Sequence, residues 1–129
     1  KFESFISSTF WTERIGPSAG LKTLKEMESL KSWKIICRNG IYLRKKISNI
    51  LKGNKDVFLN KQGIIPNLQL KFSKNSIKKI YINYMLSKGI LASDRIYLSI
   101  SHNKKEMENF LFNFKLFVDH IKKNNFMFN

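Results

Sequence analysis

The chain has a single cysteine, Cys37, among 129 residues, so no disulfide can form within it. That weakly favours a reducing compartment, and the expectation drawn is a cytoplasmic protein. Cys37 sits in the run Ile35-Ile36-Cys37 and is read as a small buried hydrophobe. No apolar run approaches the ~20 residues that a membrane span requires, and no signal peptide is visible, so no membrane partner is expected. Acidic residues are also few, 9 against 24 Lys and Arg, which leaves a net charge of +15. An excess of that size draws polyanions non-specifically. The lysines, however, come with abundant Asn and Ile and spread over every predicted element rather than one stripe, which counts against a nucleic-acid partner. The two histidines, His102 and His120, are distant in sequence and have no cysteine or carboxylate pair beside them. No metal site is expected from them. No internal repeat is present.

Hydrophobic residues make up 43% of the chain, enough for one packed domain. Pro17 suits the first turn of a helix, and Ala19, Leu21, Leu24 and Met27 follow at helical spacing. Ser32 is placed as the cap of a second helix over residues 33–52, with Ile36, Gly40, Leu43, Ile47, Ile50 and Leu51 as its inner face and Gly53 as its stop. Residues 62–72 hold an alternating strand pattern, with Leu68, Leu70 and Phe72 on one side and Gln69, Lys71 and Ser73 on the other. Ser76 is read as the cap of a third helix that Lys88-Gly89 ends. Residues 90–92 and 95–101 are short strand candidates. His102-Asn103 opens a last helix over 104–123, whose stripe from Met107 to Ile121 is read as core. The expected fold is a two-layer α+β domain: a three-stranded, mainly antiparallel sheet with helices on one side.

The most specific run is residues 7–20, Ser-Ser-Thr-Phe-Trp-Thr-Glu-Arg-Ile-Gly-Pro-Ser-Ala-Gly. Its hydroxyls could donate to a phosphate or cap the helix that follows. Glu13 and Arg14 could form an ion pair at an interface or merely on the surface. Arg95 begins the last strand candidate and could hold a carboxylate with its planar fork, or stand solvated at a strand end.

The run 7–20, the block Gly63-Ile64-Ile65-Pro66 before a strand, and the strand end Ser99-Ile100-Ser101-His102-Asn103 before a helix together resemble class III pyridoxal-phosphate aminotransferases. The branch in question is related to glutamate-1-semialdehyde 2,1-aminomutase. The resemblance implies the C-terminal domain of a fold-type I pyridoxal-phosphate enzyme. Residues 1–14 would end the large cofactor domain and residues 15–129 would form the small domain. It implies pyridoxal 5'-phosphate as cofactor, with Thr9, aided by Ser8, donating to the phosphate across a homodimer interface. It also implies Arg95 as a substrate-carboxylate ligand, as in ω-aminotransferase relatives. The reaction would move an amino group between a small-molecule donor and a carbonyl acceptor, or within one molecule. The loop before the last strand is shorter than in the aminomutase branch and lacks the place of that branch's gating glutamate, which counts against the aminomutase reaction. The family's cofactor lysine and its aspartate partner lie upstream of this motif, so no catalytic residue is expected within these 129 residues. The piece alone is expected to be inactive, and its start at Lys1 fits a fragment. The alternative is a basic nucleic-acid-binding or protein-interaction module without catalysis.

Overall fold

The computed structural model describes residues 14–60 and 67–124. The run 1–13, with Ser8, Thr9 and Glu13, and the block Gly63–Pro66 lie outside the described residues. The elements run α1 (Ile15–Leu30), α2 (Ser32–Ile50), β1 (Val57–Leu59), β2 (Asn67–Phe72), α3 (Asn75–Ser87), β3 (Arg95–Tyr97) and α4 (Lys104–Asn124). The chain divides into two units, Lys1–Trp33 and Lys34–Asn129.

In the first unit, α1 starts where the Ser18 amide donates to the Arg14 carbonyl at 3.0 Å. Pro17 stands in this first turn, where an amide would have no partner within the helix anyway. The helix ends at Lys31, which adopts a left-handed conformation (φ 49°) and donates its amide back to Glu28 and Met27. No residue of α1 is buried.

The second unit holds an antiparallel sheet in the order β1-β2-β3. Its register sorts the side chains by face, because residues directly opposed in antiparallel strands point the same way. Val57 faces Phe72, Leu59 faces Leu70 and Leu68 faces Ile96, giving one wholly apolar face. Phe58, Asn67, Gln69, Lys71, Arg95 and Tyr97 share the other. The apolar face joins residues of α2, α3 and α4 in one core. Tyr81 lies at its centre, with ring centroids 5.3 Å from Phe72, 6.0 Å from Phe114 and 5.2 Å from Phe117. The expected α+β architecture is therefore the observed one.

Several local readings are corrected. Strand β1 escaped the sequence reading: three residues are too short to show alternation, and Asn54 launches them by accepting from the amides of Asp56 and Val57, both at 2.8 Å. Residues 90–92 are not a strand. Gly89 (φ 72°) closes α3, and the Ile90 amide is spent on the Met85 carbonyl at 2.9 Å. The strand expected over 95–101 stops at Tyr97, because the Ser99 amide donates to His102 Nδ1 at 3.0 Å instead of joining a ladder. Cys37 is exposed, since the apolar run around it winds off the inner face of α2. Ser32 is itself the first residue of α2 and its buried hydroxyl has no partner. Ser76 lies inside α3, whose capping position is Lys74 with no side-chain bond. Asn103, by contrast, caps α4: its Oδ1 accepts from the amides of Lys105 at 2.8 Å and Glu106 at 3.3 Å. The stripe of α4 is buried as expected, with Phe114, Phe117 and Val118 fully so.

Candidate functional site

Arg95 opens β3, and Ser93 fixes that start by accepting from the Arg95 amide at 3.2 Å and donating to its carbonyl at 3.1 Å. Two residues on, Tyr97 shares the same side of the strand, and Arg95 Nη1 lies 3.5 Å from its hydroxyl. That hydrogen bond, then the electrostatic influence of Tyr97 and, last, of Asp94, outweighs desolvation and holds the guanidinium above its ordinary pKa. Arg95 is exposed, a fixed and permanently charged fork. Beside it, Asp94 pairs with Lys78 at 2.9 Å, and the hydrogen bond from that ammonium keeps the carboxyl below its usual range.

Arg95 lines an open groove of about 660 Å³ that runs along β3. The segment from Gly89 to Ser93 forms one wall, and Glu106, Asn109 and Phe110 of α4 form another. The lining is mainly apolar, with one cation, Arg95, and one carboxylate, Glu106, among the described residues. Such a surface suits a small ligand with an anionic end. A second groove, of about 440 Å³, is lined by Arg38, Asn39 and Tyr42 from α2 and by His102, Asn103 and Lys104. His102 and Met107 line both grooves.

His102 stands at the strand–helix junction, as the sequence suggested. Its Nδ1 accepts from the Ser99 amide, which places the proton of the neutral ring on Nε2. Its carbonyl accepts from Asn39 Nδ2 at 3.2 Å. Tyr42 donates its hydroxyl to Glu108, and this bond raises the phenol's pKa. The sequence reading reached Arg95 and His102 but missed Tyr97, Glu106 and Asn39. Tyr97 had a signal, the two-residue period of a strand. Asn39 had none, since its partner lies 63 residues away. Ser8 and Thr9 fall outside the described residues, so the structure does not bring them to this groove or away from it.

Among the described residues no group of three His, Cys, Asp or Glu could hold a metal ion. None of their helices is long and apolar enough to cross a membrane.

No family model matches the chain, and no curated protein matches it in sequence. Among solved structures it is similar to the FumI protein of Sphingopyxis sp. MTA144, in its PLP internal aldimine form. The TM-score is 0.76 at 15% identity, over 98% of this chain and 32% of that one. The chain thus spans about a third of the length of that protein. At this identity the likeness shows the fold: the α+β arrangement described here is that of one part of a PLP-dependent protein.

Proposed function

We propose that this chain is the C-terminal domain of a pyridoxal-phosphate enzyme of the class III aminotransferase type. The whole enzyme moves an amino group between a small-molecule donor and a carbonyl acceptor. The observation that carries the reading is the fold likeness over 98% of the chain to a protein solved with this cofactor, together with the hydroxyl-rich run at residues 7–20.

In this reading residues 1–14 complete the large cofactor domain. Ser8 and Thr9 donate hydrogen bonds to the cofactor phosphate from across a homodimer interface, without the desolvation cost of a buried lysine. The cofactor, when bound, supplies the electron sink for the amino group's chemistry. The described residues contribute on the substrate side. Arg95 binds a substrate carboxylate in bidentate fashion, held by Ser93 below and Tyr97 beside it. Glu106, across the same groove, repels a second carboxylate and favours substrates with a single anionic end or an additional amine. Among the described residues no lysine lines this groove, and in this reading the group that carries the cofactor belongs to the rest of the enzyme.

The test is to purify the product of the complete reading frame and measure bound cofactor by its visible absorbance, alongside amino transfer from a panel of amines. Bound cofactor and transfer are expected. Thr9→Val is expected to lower cofactor retention, and Arg95→Lys to raise KM for carboxylate substrates about tenfold, the loss of roughly 1.4 kcal/mol of bidentate geometry. A protein that binds no cofactor overturns the assignment.

A further inference from the structure

The most basic acid-free stretch of the chain lies between Glu28 and Asp56: 27 residues with eight Lys or Arg and no Asp or Glu. Most of it is α2. Helical geometry does what the sequence pattern alone hid. At about 100° per residue, Lys34, Arg38 and Lys45 fall within about 40° of arc, opposite the inner face that buries Asn39, Leu43 and Ile47, with Arg38 also lining the second groove. Lys52 follows in the turn after the helix on the same spacing, and all four are exposed. Among the described residues none of the four is in an ion pair.

α4 provides the comparison. There Lys104, Lys115 and Lys122 also share an arc, but Glu108 and Asp119 fall on the intervening turns of the same side. The basic row of α4 is thus interrupted by acids of its own helix and that of α2 is not, although Glu108 meets α2 from across at Tyr42, one turn beyond Arg38. The +15 charge is therefore not evenly spread in effect.

We infer that the outer face of α2 is a docking surface for the phosphate backbone of a nucleic acid duplex. A straight row of cations at a rise of about 1.5 Å per residue matches a linear array of charges. An anionic lipid surface would also call for apolar side chains on the same arc, and only Ile41 supplies one. The inference is independent of the cofactor chemistry. Sequence discrimination is not expected, because phosphate contacts position a partner without reading bases.

The experiment uses the protein with random-sequence duplex DNA, titrated over a range of salt. Four phosphate contacts predict a log–log slope near −3.6, from about −0.9 per contact. Replacing Lys34, Arg38, Lys45 and Lys52 with Gln is expected to weaken binding more than tenfold and to flatten the slope by about 3.6. Replacing Lys79, Lys105, Lys115 and Lys122 with Gln removes the same charge from other faces and is expected to leave both nearly unchanged. Ile41→Glu, which plants an acid inside the row, gives an independent loss should the quadruple variant misfold. Equal losses in both quadruple variants, or no binding at physiological salt, overturn the inference. Tighter binding to phosphatidylserine vesicles than to DNA overturns it as well.

Discussion

Asn39 in α2 donates its side-chain amide to the main-chain carbonyl of His102, 63 residues away. This bond ties the middle of α2 to the junction between β3 and α4, the point where the two grooves meet. Asn39 is buried, so its loss leaves a desolvated carbonyl behind. Asn39→Ala is expected to cost about 1–3 kcal/mol of stability by urea unfolding, and Asn39→Leu no less.

Tyr81 presents the opposite case. Its hydroxyl is buried without a hydrogen-bond partner at the centre of the aromatic cluster. Burial, reinforced by the charge of Asp94, pushes its pKa far above the usual phenol range. An unsatisfied buried hydroxyl costs stability. Tyr81→Phe keeps the ring and is expected to raise the free energy of unfolding by roughly 1 kcal/mol; a clear loss would mean that the hydroxyl is engaged.

The Lys78–Asp94 pair predicts an acid dependence. The carboxyl pKa is lowered in the folded state, so the pair's contribution is complete above the ordinary value of 3.8 and fades as pH falls below it through the folded pKa. The pair is partly exposed, which limits it to about 0–1 kcal/mol, less at high salt. Lys78→Met is expected to flatten the acid limb of a stability-versus-pH curve, measured at low salt, while leaving the shape above pH 5 unaltered.

Two helix starts can be set against each other. Asn103 receives two amides of α4, whereas Ser76 caps nothing. Asn103→Ala is expected to cost about 1 kcal/mol. Ser76→Ala is expected to stay within about 0.5 kcal/mol of neutral, as an uninvolved surface position does.

The longer elements were legible because their periods repeat. The stripe from Met107 to Ile121 and the alternation Leu68, Leu70, Phe72 each sample one face several times. What failed was short or depended on distant partners. β1 is three residues launched by a single Asn54 turn. Residues 90–92 have strand-like side chains, yet the Ile90 amide belongs to the end of α3. Ser32 and Ser76 have capping chemistry but stand one and two positions too far along to use it. Cys37 was misplaced because three consecutive apolar residues in a helix cannot all face inward. At the site, Arg95 could be placed at a strand start from the sequence, while its role as a carboxylate ligand came from the family resemblance. Glu106 and Asn109 reach the same groove only through the packing of α4 against β3.

The exposure of Cys37 has a practical use. Because it is the sole thiol, a maleimide dye or spin label attaches at one known point on the outer side of α2, with no mutagenesis and no background. The label would sit about one helical turn from Lys34 and Ile41, close enough for its anisotropy or mobility to respond when anything settles on that side.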